Sequence, residues 1–234
     1  PCKYYTINIY KQIDMENPWL TISWDIPIAE ADRIWIEEHY GSVEALEYKY
    51  RKCSLKLHGA LPEPYSGNKD SKVYCLNMNP GEWVDRFSGN DSILDMTIKN
   101  LHHEVNDCFW WEKVRDEDNN PHDGYCWVKQ KTHLIEEVLG RRPNIFFVEF
   151  FPYHSKNGFI FPELPSYKYS NQLIIKAIEE GKTIIIMRQV EKWCRRIPLL
   201  QTTNVLTLNS PSAGWLSPNN LGLKGKESLI KEMF

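Results

Sequence analysis

The chain has 234 residues, 42% hydrophobic and 25% charged, with a formal net charge of -3. That is the balance of an ordinary globular protein, long enough to bury roughly 70% of the surface of its unfolded chain; its slight acidity argues against coating nucleic acid by electrostatics alone. No apolar run approaches the ~20 residues that cross a bilayer, and no charged n-region with an apolar h-region marks a leader, so the expectation is a cytoplasmic protein of one domain, residues 1–234.

In chain order, Tyr5, Ile7 and Ile9 alternate as a short extended arm. Residues 28–40 and 42–53 carry helical patterns separated by Gly41. Residues 61–68, which include Pro62, Pro64 and Gly67, continue neither helix and read as a loop. Residues 1–70 are therefore expected as a helical layer on a core spanning 71–234. Within that core, residues 73–78, 145–151, 183–187 and 205–208 are continuous apolar runs. Such runs read as parallel strands covered on both faces, because covering removes the polar alternation of a half-exposed sheet.

Helical patterns lie between them. Leu94, Ile98, Leu101, Val105 and Cys108 recur at three and four; residues 128–139 stop at Gly140 and residues 170–180 at Gly181; Val190, Trp193, Cys194 and Ile197 form a stripe before Pro198. The polar stretch 115–124 reads as a mobile surface loop, and Phe109-Trp110-Trp111 as a satellite core beneath it. Alternating strands and helices imply an α/β fold, three-layer α/β/α around a central, mainly parallel four-stranded sheet.

The six cysteines are scattered with no C-x-x-C pair, which suits reduced thiols better than a zinc or iron-sulfur site. His102 and His103 would point about 100° apart on a helix and chelate poorly, so a solvated face is expected there and no metal. No G-x-G-x-x-G follows a strand and no phosphate-loop motif occurs; no cofactor is expected. Arg188, Lys192, Arg195 and Arg196 place at least three cations along one side of a helix, ordinarily a solvated face.

Polar and rigid residues collect where the four strands end. They are Asn77-Met78-Asn79-Pro80-Gly81 after the first, Pro152-Tyr153-His154-Ser155 after the second, Arg188-Gln189 after the third, and the run from Asn209 to Ser217 after the fourth. Ligands of open α/β sheets bind in the crevice beyond the carboxyl ends of the strands. Pro80 disfavours helix at Asn79 and Gly81 permits a backbone closed to other residues, so Asn79 is held in one orientation.

The first motif resembles the Gly-x-Asn-Pro-Gly sequence of the mismatch-specific and single-strand-selective branches of the uracil-DNA glycosylase superfamily. Ser210-Pro211-Ser212, followed by Trp215-Leu216-Ser217, resembles the family's His/Asn-Pro-Ser loop after the last strand. The resemblance runs from Val73 to the C-terminus. It implies a cofactor-free enzyme that flips a damaged or deaminated base from DNA, single-stranded or lesion-containing, and hydrolyses its N-glycosidic bond. Asn79 would orient the attacking water. The motif around it, Asn77, Met78, Pro80 and Gly81, and the last loop, Asn209, Ser210 and Ser212, would cradle the leaving base as an oxyanion hole does.

Two departures accompany the match: Asn77 stands where the family has Gly, and Ser210 where many members have His. A hydroxyl is a weaker donor to a developing anion than imidazole. His154 either supplies an imidazole from another direction or holds the Pro152 turn. Trp215 and Leu216 either form the wedge that replaces a flipped base or fold back as core. One of Phe150 and Phe151 would face a helix layer while Phe151 or its neighbour, with Tyr153, stacks on a base; Glu149 accepts from a base edge or meets a structural partner. The alternative function is a catalytically inactive module on the same fold that binds nucleic acid or a free nucleobase or nucleotide.

Overall fold

The computed structural model describes residues 15–85, 89–116, 118–156 and 161–234. The arm expected at Tyr5, Ile7 and Ile9 lies outside them. The chain forms an α/β protein with seven α-helices and one five-stranded, mostly parallel sheet among the described residues.

Helices α1 (Glu30–Tyr40) and α2 (Val43–Lys49) meet at Gly41, whose φ of +83° suits a residue without a side chain. Ser42 caps α2, its hydroxyl accepting from Ala45 N at 3.2 Å. A short strand β1 (Tyr65–Ser66) follows, then β2 (Val73–Leu76), α3 (Asp91–Leu101), α4 (Asp123–Leu139), β3 (Ile145–Val148), α5 (Tyr167–Glu179), β4 (Thr183–Ile186), α6 (Val190–Arg196), β5 (Leu206–Thr207) and α7 (Glu227–Met233). Each of the four expected strands is present and shorter than its apolar run.

The fifth strand corrects the reading of residues 61–68 as loop and of 1–70 as purely helical. β1 pairs antiparallel with β3, Tyr65 opposite Val148. Gly67 makes this edge possible: its φ is +107°, and a Cβ there would overlap the Ile145 carbonyl oxygen. Two other expectations change. In the polar stretch Arg115 bridges Pro121 and Asp116 Oδ1 accepts from Asn120 N at 2.7 Å, with α4 starting at Asp123. His103 leaves the helix at φ +61°, stacks on Tyr65 and hydrogen-bonds Tyr169 Oη at 2.8 Å through Nε2, so it is no solvated face.

The strand order is β1-β3-β2-β4-β5. Within the uniformly apolar strands the period-two alternation reappears as a choice of helix layer. Tyr74, Leu76, Phe146, Val148, Ile184 and Ile186 pack with Ile36, Leu46, Ile93, Leu101, Ile174 and Trp193 of α1, α2, α3, α5 and α6. Val73, Cys75, Ile145, Phe147 and Ile185 pack with Val128 and Ile135 of α4 and Ile230 of α7 on the other face. The chain passes from β2 to β3 through α4 on one face and back across β2 to β4 through α5 on the other, which keeps one crossover hand. The loop after β2 thus runs toward β3 and the loop after β4 toward β5. They diverge between neighbouring strands, which opens a crevice at their carboxyl ends.

The N-terminal helices are tied to this end of the sheet. Asp32, fully buried in α1, accepts from Tyr153 Oη at 2.8 Å and from Ser166 N at 2.8 Å, and Tyr153 Oη accepts from Ala29 N at 3.2 Å. Burial pushes the Asp32 carboxyl above its ordinary range, against the pull of these hydrogen bonds. Among the described residues the cysteines are free thiols, no group of three or more acidic, histidine or cysteine side chains is placed to hold a metal, and no helix is long and apolar enough to cross a membrane.

Candidate functional site

The sheet ladder does not stop where β2 and β3 formally end. Asn77 N donates to Val148 O at 2.8 Å, Phe151 N to Met78 O at 2.8 Å, and Ser155 N to Gly81 O at 2.7 Å. Residues 77–81 are thereby stitched to residues 148–155 as a rigid lip. Gly81, at φ +92°, makes the turn that ends it. From the α6 side, Trp193 Nε1 donates to Asn77 O at 3.0 Å.

Beyond this lip lies a cleft of about 460 Å³. Asn79, Pro80 and Gly81 form one side, Glu149 and His154 another, and Arg188 stands at the end of β4. Its walls are aromatic, from Trp83, Trp111, Trp127 and Phe147, and Glu63 and Lys156 complete the rim. Gly124, in the first turn of α4, also lines it; a Cβ there would come within 2.7 Å of the Trp111 ring, so the glycine lets the helix close on the tryptophan.

Within the cleft one side chain is fixed by its donors and two carry polar atoms without a hydrogen bond. The Asn79 amide nitrogen donates to Ser155 O at 2.7 Å and to Ser155 Oγ at 3.1 Å, which fixes the carboxamide and directs its oxygen away from those partners. Glu149 accepts from Asn77 Nδ2 at 3.2 Å through Oε1, while Oε2 is closed to solvent and has no partner. Burial pushes this carboxyl up to about 8; Glu63 adds to the rise, whereas the Asn77 hydrogen bond and the Arg188 charge oppose it. Neutral Glu149 is therefore the main form near pH 7, with a proton to donate. His154 is 5% exposed, and neither ring nitrogen has a hydrogen bond. Its Nε2 lies 3.5 Å from Glu63 Oε1 and its ring edge meets Trp83 at 4.9 Å. Buried polar atoms without partners are uncommon in native proteins; here three of them belong to two residues that line one cavity.

Of the residues singled out from sequence, the cleft gathers Asn79, Pro80, Gly81, Glu149 and His154. His154 does not hold the Pro152 turn through its ring; its backbone oxygen does the pairing, accepting from Lys56 N at 3.0 Å. Asn77 is buried behind Glu149, and Met78 is core. Phe151 stacks on Phe161 at 4.1 Å and Tyr153 is sealed against Asp32, so neither reaches the cleft. Phe150 packs edge-on to Trp193 at 5.0 Å.

The last loop is displaced from the cleft. Asn220, itself buried, organises it by accepting from Ser210 N at 2.6 Å and donating to Trp215 O at 2.8 Å. Asn209, Ser210, Ser212 and Trp215 are exposed and outside the cleft lining, whereas Leu216 is fully buried. Wedge and core were alternatives for Trp215 and Leu216; the pair divides between an exposed ring and a core side chain. The loop approaches the site through Gly214, where a Cβ would lie 3.1 Å from Lys131 Nζ and 3.4 Å from Arg188 Nη2. Lys131 has its ammonium pKa lowered by burial and by Arg188.

Sequence reasoning did not place Glu63, Trp83, Trp111, Trp127 or Lys156 at the site. Glu63 had a visible signal, an acid rigidly held between Pro62 and Pro64. The tryptophans had none, since burial and cleft lining draw on the same residue types. No protein-family model, curated protein or solved structure matches the chain.

Proposed function

We propose that the protein is a base-excision glycosylase that hydrolyses the N-glycosidic bond of a damaged or deaminated base, on a three-layer α/β/α fold of the uracil-DNA glycosylase kind. The observation that carries the reading is the fixed Asn79 carboxamide, its oxygen turned away from the Ser155 contacts, bordering the same aromatic-walled cleft as neutral Glu149 and His154, whose ring has no hydrogen bond. A flat, polar-edged ring suits such a slot, because aromatic side chains flank it and polar side chains border it. The cations Arg188 and Lys156 at the rim suit the phosphates that flank it.

In this reading the base is extruded into the cleft, and Asn79 Oδ1 accepts a hydrogen bond from the water that attacks the anomeric carbon. The carbon–nitrogen bond breaks with its electron pair on the base. Glu149, turning its carboxyl toward the cleft, gives its proton to the departing base, the new carbon–oxygen bond forms, and the water's surplus proton passes to solvent, from which Glu149 is reprotonated. His154 donates to or accepts from the base edge according to its tautomer. No metal or cofactor is needed for the balance.

A second reading is a binding module on the same fold without turnover. The exposure of Ser210 and Ser212 outside the cleft favours it, since the last loop then brings no donor to the leaving base. Labelled oligonucleotides carrying uracil, hypoxanthine or other altered bases separate the two. Abasic product from at least one of them supports the enzyme; binding with no product from any supports the module.

A further inference from the structure

Glu63 reaches the cleft from a backbone held on both sides. It lies between Pro62 and Pro64, and a residue before proline is confined to extended geometry. Its N–H donates to Pro152 O at 2.8 Å, and Pro64 O accepts from Glu149 N at 2.9 Å. The β1–β3 pairing therefore runs on past Tyr65, and one short segment is pinned both to the strand end that carries Glu149 and to the turn that leads to His154. The Glu63 side chain is 17% exposed and lines the cleft.

Its carboxylate bears on two neighbours. Oε1 lies 3.5 Å from His154 Nε2, and among the described residues no other basic group forms an ion pair with Glu63. The imidazole is 6% exposed, meets the edge of Trp83 at 4.9 Å, and has no hydrogen bond at either nitrogen. The nearby lysines have other positions: Lys56 Nζ is 3.8 Å from Asp85, and Lys156 stands at the rim. A buried ring facing one carboxylate has one favourable place for its proton, the nitrogen nearest the acid. Hydrogen bonds of catalytic groups often tighten only when a ligand binds, and closing this one takes a few tenths of an ångström. Glu149 is influenced by the same carboxylate, by Asn77 and by Arg188; Glu63 opposes its ionisation and the other two favour it.

We propose that Glu63 is the positioning residue of this cleft: its carboxylate holds the His154 proton on Nε2, leaving Nδ1 the acceptor, and keeps beside Glu149 a negative charge that favours the acid form. This rests on the glycosylase reading for the use made of the two groups. In that reaction Glu149 supplies the proton to the departing base, so Glu63 widens the pH range over which the donor is available, and His154 enters as an acceptor.

Three substitutions in the full chain separate charge from shape. Glu63→Gln keeps an oxygen for Nε2 and removes the charge, Glu63→Asp keeps the charge, and Glu63→Ala removes both. Nitrogen NMR of the labelled imidazole at neutral pH should show His154 protonated on Nε2 in the wild type and in Glu63→Gln, and a mixture of tautomers in Glu63→Ala. The Glu149 carboxyl carbon, assigned by its loss in Glu149→Gln, should titrate at about 8 in the wild type, close to that in Glu63→Asp, and at lower pH in Glu63→Gln and Glu63→Ala. Single-turnover base release should lose its alkaline limb at correspondingly lower pH in Glu63→Gln and recover it in Glu63→Asp, a pattern that a merely structural residue would not give. An unmoved Glu149 titration in Glu63→Gln, or the Nε2 tautomer retained in Glu63→Ala, overturns the assignment. Both NMR changes with no base released from any altered base support it and remove the glycosylase; base release with one pH profile in all four proteins does the reverse.

Discussion

Replacing Glu149 by Gln should convert a strongly pH-dependent protein into a flatter one. The carboxyl is held at about 8 in the folded chain, against 4.5 for an unperturbed glutamate. Between these values the folded state keeps a proton that the unfolded state has lost, so stability falls as pH rises across the window. At about 1.4 kcal/mol per tenfold change in acidity, the whole gap corresponds to about 5 kcal/mol, of which about 3 kcal/mol is already lost at pH 7. Glutamine keeps the Asn77 contact and carries no ionisation, so the variant's stability relative to wild type should improve by about 4 kcal/mol between pH 5 and pH 9. Urea denaturation of both proteins at four or five pH values measures this directly, and taking the difference cancels every other titrating group. A difference that stays flat with pH would mean that Glu149 is ionised throughout, and its role as proton donor would fall with it.

Other expectations follow from the same contacts. Asn79→Ala should lower base release about a hundredfold or more while costing only about 1 kcal/mol from the lost Ser155 hydrogen bonds, read by single-turnover kinetics and urea melts side by side. Leu216→Ala should cost about 2–5 kcal/mol, whereas Trp215→Ala should leave stability unchanged and weaken binding to lesion-containing duplex, separating the core half of that pair from its exposed half. Asp32→Ala should cost about 3 kcal/mol by leaving Ser166 N and Tyr153 Oη without their buried acceptor. Burial holds His103 at about 4, below its ordinary 6.5, so the unfolded chain takes up the proton first and stability is lost as pH falls from 6.5 toward 4. His103→Gln should flatten that acid limb in denaturation curves at pH 4.5 and 7.

The alternation of apolar runs and helical stripes was enough to place β2, β3, β4 and β5 and the helices between them, because strands buried on both faces and helices with one buried stripe leave opposite signatures in sequence. β1 was hidden for a physical reason. Two residues between prolines and a glycine carry no period, and the pairing exists only because Gly67 lets the chain pass Ile145. At the site, Asn79 was legible because Pro80 and Gly81 constrain it locally. Glu149 was visible as an odd charge at the end of an apolar run, but its protonation state depends on burial and on Glu63 and Arg188, which meet it only through the fold. Ser210 and Phe151 mark the converse limit: each lies near a strand end in sequence, and the loop organised by Asn220 and the stack on Phe161 carry them elsewhere.

In the proposed mechanism Asn79 positions a water against a base held in the cleft. Single-turnover base release by wild type, Asn79→Ala and Asn79→Asp, on one altered-base oligonucleotide at matched folded fraction, tests it most directly. Abasic product is expected from the wild type, with a loss of about a hundredfold or more in Asn79→Ala and partial recovery in Asn79→Asp, which restores an oxygen acceptor facing the water. Equal rates in all three proteins, or no product from the wild type on any altered base, would contradict it.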